Sequence, residues 1–301
     1  MTERSRCLAV IGPTASGKSS LALSLARRHP ELEIVSVDSM QVYRGMDIGT
    51  AKPTAVEQRE VRHHLIDLVE PEQDFTVVEF QQAYREVVAD IEARGRRPLL
   101  VGGTGLYLRS VVDALEPPPQ WPAIRERLEA ETDTEALHQQ LGRLDPAAAE
   151  KMEPSNRRRI VRALEVTIGS GRPFSSFGPG LESYPPTPVT QIGIRRSRDD
   201  LTERIADRYR VQMAQGFLDE VRMLAGRTLS RTARQALGYK ELLEHVEGRL
   251  SLDDALDLAV RRTRTFAVRQ ERWFRRDPRI VWVTPEDFRQ EAEQVLAAWA
   301  P

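Results

Sequence analysis

The sequence predicts an α/β fold, with a central, mostly parallel sheet flanked by helices and a smaller helical insertion. Three observations predict it. Short apolar runs alternate with helical stretches, as βαβ units require. A glycine-rich turn joins the first apolar run to the first helix. Prolines 117–119 and 122, and a Gly/Pro/Ser-rich stretch over 169–188, bracket a charged helical region of different character. The expected division is 1–115 for the first part of the core, 116–186 for the insertion, and 187–301 for core completion with basic C-terminal helices.

The elements follow in order. Cys7–Ile11 is a buried strand closed by Gly12, and Ser19–His29 is a helix with Leu21, Ala22 and Leu25 on one face. Glu33–Asp38 is β-branched and reads as a second buried strand. Arg97–Val101 is a third, ending in Gly102-Gly103 ahead of a helix over Leu106–Leu115. The insertion is helical to about Thr167. Val189–Ile194 returns to the sheet and Arg279–Val283 is the last strand. Ser251 followed by Asp254 starts a long helix. At 100° per residue, Leu252, Leu256, Ala259, Phe266, Trp273 and Phe274 share one arc. Arg261, Arg262, Arg264, Arg269, Arg272, Arg275 and Arg276 take the opposite side, a density that suits a phosphate backbone.

Composition excludes several classes. A chain of 301 residues can bury a sizeable core without staples. Its one cysteine, Cys7, excludes a disulfide framework and a multi-cysteine zinc site. His63 and His64 are adjacent and point apart, so they read as structural, not as metal ligands. No apolar run reaches the roughly 18 residues of a membrane span, and Met1–Cys7 lacks the apolar core of a signal peptide. A cytoplasmic protein with no membrane partner is expected. The net charge of -1 hides an asymmetry: 17 basic and 24 acidic side chains precede residue 151, and 27 and 21 follow. Residues 155–280 alone hold 25 basic against 16 acidic, an asymmetry open to two readings: a polyanion-binding face, or the arginine bias of a GC-rich genome, since only four of the 44 basic residues are lysine.

The strongest local signal is Gly12-Pro13-Thr14-Ala15-Ser16-Gly17-Lys18-Ser19, which fits G-x-x-x-x-G-K-[ST] between a strand and a helix and predicts a P-loop NTPase-like core. Backbone N–H groups and the helix N-terminus favour a phosphate, Lys18 reaches its terminal oxygens, and the Ser19 hydroxyl ligates Mg²⁺. The motif specifies a di- or triphosphate and leaves the reaction open. Ligands in open α/β sheets sit beyond the carboxyl ends of the strands, so Asp38 and Thr104 should converge on this loop. Asp38 is a Mg²⁺ ligand, a general base, or a helix cap or Asx turn; Thr104 has a similar capping alternative. Arg204 and Arg208, four apart, are neighbours on one helix face, either as a cationic contact or as solvated charges.

Four further blocks are more specific. Asp38-Ser39-Met40-Gln41-Val-Tyr43-Arg-Gly-Met-Asp47-Ile-Gly49-Thr50-Ala-Lys52-Pro53, Gly102-Gly-Thr104-Gly-Leu-Tyr107, Arg162-Ala-Leu-Glu165-Val and Gly238-Tyr239-Lys240-Glu241 closely resemble tRNA dimethylallyltransferases (tRNA isopentenyltransferases), a resemblance that runs from residue 8 to about 276. With one cysteine the chain has no room for the zinc finger of some eukaryotic members, so the resemblance is to the bacterial type. It implies transfer of a dimethylallyl group from dimethylallyl diphosphate to N6 of the adenosine immediately 3′ of the tRNA anticodon. In that reading residues 12–19 and Arg208 hold the diphosphate with Mg²⁺, Asp38 accepts the N6 proton, and Thr104 bonds near the leaving oxygen. It also implies tRNA contacts at Asp38, Ser39, Met40, Gln41, Thr104, Arg158, Arg159, Arg162, Gly238, Tyr239, Lys240, Arg262, Arg264 and Arg269. The expected partners are the anticodon stem-loop and the donor, and the expected state is a monomer. Two alternatives share the loop: a transferase acting on free adenine nucleotides, and a small-molecule kinase. A non-enzymatic RNA-binding protein would leave Lys18, Asp38 and Thr104 without a purpose.

Overall fold

Residues 7–177 and 180–299 are described by a computed structural model. Six strands form one sheet: β1 (Cys7–Ile11), β2 (Leu32–Val37), β3 (His63–His64), β4 (Arg97–Gly102), β5 (Val189–Ile194) and β6 (Ile280–Val283). Their order is β3-β2-β4-β1-β5-β6, and every neighbouring pair is parallel. The helices are α1 (Lys18–Arg28), α2 (Ala55–Glu60), α3 (Val77–Ala93), α4 (Gly105–Val112), α5 (Pro122–Ala130), α6 (Thr134–Leu144), α7 (Pro146–Glu150) and α8 (Arg157–Ser170). They continue with α9 (Arg198–Ala214), α10 (Phe217–Ala225), α11 (Arg231–Arg234), α12 (Tyr239–Val246), α13 (Leu252–Phe274) and α14 (Phe288–Ala297).

The α/β sheet expected from the sequence is present, and the five expected strands appear with ends moved by no more than a residue. The sixth, β3, is too short for any periodicity to reveal. It pairs His63 with Ile34 and His64 with Val35, and His64 Nε2 meets Glu33 Oε2 at 2.7 Å. The paired histidines are structural, as expected. Helix α4 stops short of the expected Leu115. Arg109 and Arg279 both hold Asp113, and Ala114 turns to a positive φ of 46°.

Strand alternation decides what each side of the sheet covers. Leu8, Val10, Ile34, Leu99 and Ile192 pack with Ala22 and Leu25 of α1 and Phe288, Ala292 and Leu296 of α14. Ala9, Ile11, Val35, Val37 and Leu100 pack with Phe80 and Ile91 of α3, Tyr107 and Leu108 of α4, and Phe274 of α13. A third cluster is helical: Val42, Tyr43 and Met46 pack against Tyr209, Phe217, Tyr239, Ala259 and Ala267.

The described residues divide into two compact units, one running to Asp113 and resuming at Tyr184, the other spanning Ala114–Ser183. In the smaller unit, α5–α8 enclose Leu128, Leu137, Leu141, Ile160 and Leu164. Asp145 caps α7 and also accepts from Ser175 N at 2.7 Å, tying the following turn to the bundle. Burying that carboxylate is tolerated because both its oxygens accept hydrogen bonds inside the unit.

Candidate active site

The phosphate loop leaves β1 and enters α1 through Gly17, whose φ of 91° suits a residue without a Cβ. Ala15 also has positive φ, at 63°, a strained conformation for a residue with a Cβ. The loop is gripped from outside by neighbouring elements. Arg196 Nε donates to Ser16 O and Arg204 Nε to Ala15 O, each at 2.8 Å. Arg208 donates to Thr14 Oγ1 at 2.6 Å, and Thr14 N donates to Gln270 Oε1 at 2.9 Å. The carbonyls of 15 and 16 are fixed in this way, and Ser16 N closes a turn within the loop on Pro13 O at 3.3 Å. Arg208 therefore reaches the loop, as the helix-face argument expects, and it arrives with Arg196 and Arg204. Arg196 and Gln270 carry no motif of their own, and only the fold brings them here.

Lys18 rests its ammonium on Pro13 O at 3.3 Å. Burial lowers its pKa to about 8, opposed by the nearby Asp38 carboxylate and aided by Arg208. A cation desolvated in this way gains the most when a phosphate arrives. Ser19 is exposed at the start of α1, and among the described residues no three carboxylate, imidazole or thiol groups form a cation cage. One hydroxyl beside a phosphate cradle fits Mg²⁺, which retains waters and takes phosphate oxygens.

β2 and β4 are neighbours, so Asp38 and Thr104 leave the sheet side by side. Thr104 Oγ1 accepts from Ser39 N at 3.1 Å and makes no cap bond to α4, so the capping alternative does not hold. Asp38 Oδ1 accepts from Met40 N at 2.8 Å, the Asx turn foreseen as an alternative, and Oδ2 has no partner among the described residues. One oxygen thus orients the carboxylate and the other is available for chemistry.

The segment after Asp38 is held by two buried side chains, Glu220, which carries no motif, and Lys52. Glu220, 5% exposed, accepts from Asp47 N at 3.0 Å and Ile48 N at 2.8 Å with Oε2. Its Oε1 accepts from Gly49 N at 3.2 Å and from the Tyr239 hydroxyl. Lys52 Nζ is buried against Tyr43 O (2.7 Å), Asp47 Oδ1 (2.5 Å) and Asp67 Oδ1 (2.6 Å).

Several residues expected to meet tRNA are occupied within the protein. Gln41 accepts from Ser36 Oγ at 2.8 Å and donates to Thr50 O and Ala51 O. Met40 packs on the helical cluster. Arg162 donates to Pro118 O at 2.6 Å and Pro119 O at 3.1 Å and pairs with the fully buried Glu165, so this block braces the proline segment. Gly238 takes a φ of 86° against Phe217, and Tyr239, 1% exposed, is a core residue; neither presents a surface. The reason is local: α12 starts at Tyr239 and turns its first residue inward onto Glu220. Lys240 contacts Gln235 Oε1 at 3.0 Å. Arg158 and Arg159 are exposed at the start of α8.

Helix α13 differs from the helical-wheel reading. Its buried stripe is Ala255, Ala259, Thr263, Ala267, Gln270 and Phe274, while Leu252, Leu256, Phe266 and Trp273 are only partly buried. The small residues let the helix lie close, and two polar groups are buried because they have partners. Thr263 Oγ1 meets Tyr209 Oη at 2.9 Å, and Gln270 meets the phosphate loop. The arginines also divide. Arg262 pairs with the fully buried Glu241 at 2.6 Å and Arg264 is partly buried, whereas Arg261, Arg269, Arg272, Arg275 and Arg276 are exposed.

Among the described residues no helix is long and apolar enough to cross a membrane. The family model described as IPP transferase matches residues 41–277. The tRNA dimethylallyltransferase of Streptomyces coelicolor is 49% identical over 284 residues, spanning 93% of this chain and 90% of that protein. The crystal structure of the full-length tRNA isopentenylpyrophosphate transferase from Bacillus halodurans is 36% identical, with a TM-score of 0.70 and 98% of both chains covered. A eukaryotic dimethylallyltransferase acting on tRNA, 24% identical, has the same fold, with a TM-score of 0.80 over 97% of this chain and 77% of that one.

Proposed function

The chain belongs to the IPP transferase family, and from that premise we propose that it prenylates tRNA. The reaction is transfer of a dimethylallyl group from dimethylallyl diphosphate to N6 of the adenosine immediately 3′ of the anticodon, with release of diphosphate. The observation that carries this reading is a phosphate loop beside a carboxylate with one free oxygen. Lys18 and Asp38 interact electrostatically, and Thr104 is fixed next to them through Ser39.

In the reaction the allylic C1–O bond breaks, a C1–N6 bond forms, and N6 loses a proton. Negative charge grows on the departing diphosphate, where Lys18, the loop N–H groups and Arg208 stabilise it. Bound with Ser19, Mg²⁺ would supply further charge neutralisation on the phosphate oxygens. The adenine amine is a weak nucleophile because its lone pair is delocalised into the ring. Asp38 Oδ2 accepts its proton, while Oδ1 keeps the carboxylate oriented through Met40 N. Thr104 Oγ1 already accepts from Ser39 N, and its proton has only a 3.4 Å contact to Ser39 Oγ. A stronger acceptor on the donor, the leaving oxygen, displaces that contact. The base must leave its stack to reach Asp38, and the exposed arginines of α13 suit the flanking phosphates. Loop, base and arginines all come from one chain, so the proposed reaction needs no second copy, and a cytoplasmic monomer is part of the proposal.

The test offers radiolabelled dimethylallyl diphosphate with unmodified tRNA, AMP or no acceptor. Label in tRNA and not in AMP is expected. Label in AMP alone would overturn the proposal.

A further inference from the structure

Gln270 sits on the inner stripe of α13, one residue from the exposed Arg269, and is only 8% exposed. Both ends of its amide are bonded to the site. Oε1 accepts from Thr14 N at 2.9 Å, in the phosphate loop, and Nε2 donates to Gly103 O at 2.8 Å, in the turn before Thr104. There is no slack in the contact, since a Cβ on Gly103 would lie 2.6 Å from Nε2. A turn along the same helix, Trp273 packs onto Gly105, where a Cβ would lie 2.2 Å from the ring. Cohesion between α13 and the sheet could be supplied by an apolar side chain, as at Phe274 on the same stripe. A buried amide is tolerated only when its polar atoms are bonded, so its retention here needs another reason.

We propose that Gln270 is a positioning residue for the transfer, setting the spacing between the diphosphate cradle and the Thr104–Ser39–Asp38 group. This rests on the proposed function. The line of contact runs from Thr14 through the Gln270 amide to Gly103, then Thr104 Oγ1, Ser39 N and the Asp38 turn. Both polar atoms of the Gln270 amide are committed to protein groups, and it acts through the groups it holds. A displacement of about 1 Å between reacting groups reduces rate on the order of a hundredfold.

Gln270→Met keeps the length of the side chain and removes both hydrogen bonds. The expected result is a fall in kcat of about 10- to 100-fold, a several-fold weaker Kd for inorganic diphosphate by calorimetry, and an unchanged Kd for tRNA. Gly103→Ala, which displaces the amide, should reproduce the kcat loss, and the double variant should be no worse than the poorer single. Should Gln270→Met not fold, Gln270→Glu keeps the acceptor for Thr14 N, replaces the donor to Gly103 O by a repelling carboxylate oxygen, and should still lose at least about tenfold in kcat. A lower melting temperature with wild-type kcat and diphosphate affinity would overturn the proposal, as would additive losses in the double variant. The diphosphate measurement needs no turnover. A wild-type protein that modifies no tRNA would therefore fail the proposed function while this test of Gln270 stands.

Discussion

Replacing Glu220 with Gln should destabilise the protein by about 3 kcal/mol, a figure that follows from its bonds. Four donors converge on its two oxygens: Asp47 N and Ile48 N on Oε2, Gly49 N and the Tyr239 hydroxyl on Oε1. In the amide one oxygen becomes NH₂. If that group takes the Oε1 side, the Tyr239 hydroxyl can rotate and accept, but Gly49 N faces a donor. One buried unsatisfied N–H costs about 1–3 kcal/mol. The two remaining bonds lose their charge assistance, about 1 kcal/mol each. Tyr239→Phe removes a single charge-assisted bond from the same cluster and should cost about 2 kcal/mol. The measurement is urea unfolding of the three proteins followed by circular dichroism, with equal slopes. If Glu220→Gln costs under about 1 kcal/mol, or no more than Tyr239→Phe, the carboxylate does not organise residues 47–49 and the reasoning fails.

Three further outcomes are expected. Asp38→Asn should lower kcat by about 10²- to 10⁴-fold while diphosphate Kd, read by calorimetry, moves little; near-normal turnover would remove Asp38 as the base. In the free protein Lys18 loses its proton as pH rises through about 8, so diphosphate affinity should fall by up to about tenfold per pH unit above that point. Lys18→Met supplies the baseline that contains only the ligand's own titration, and parallel curves would refute the assignment. Glu33 is held at about 2, from an ordinary 4.5, chiefly by hydrogen bonds from Arg94. The native state thus keeps the carboxylate ionised where the unfolded chain protonates it. Its contribution of about 3 kcal/mol should be complete above pH 4.5 and be lost as pH falls from there toward 2. A stability difference between wild type and Glu33→Gln that is the same in urea at pH 5 and pH 3 would count against this.

Local sequence was enough for the sheet, the phosphate loop and its neighbours. Parallel strands buried on both sides read as unbroken apolar runs, and a glycine-rich turn between strand and helix has few other uses. Once the strands are parallel, the ends of β1, β2 and β4 lie together, so Lys18, Asp38 and Thr104 could be paired before any coordinates. Long-range hydrogen bonds leave no such trace. Glu220, Arg196 and Gln270 read as ordinary charged or polar residues in helices and loops. Their partners lie far along the chain, 256 residues away for Gln270 and Thr14. The same limit explains Arg162, Gly238, Tyr239 and Gln41. A matching block says that a residue belongs to the site region, but whether it faces outward or braces the backbone depends on neighbours from other elements. On α13 the hydrophobic period placed the helix but not its inner stripe, because small and polar residues fill that stripe. Residue type and spacing therefore determined which groups could do the chemistry. Only the tertiary structure decided which of them are free to do it, because a hydrogen-bonding group already satisfied within the fold is no longer available to a ligand.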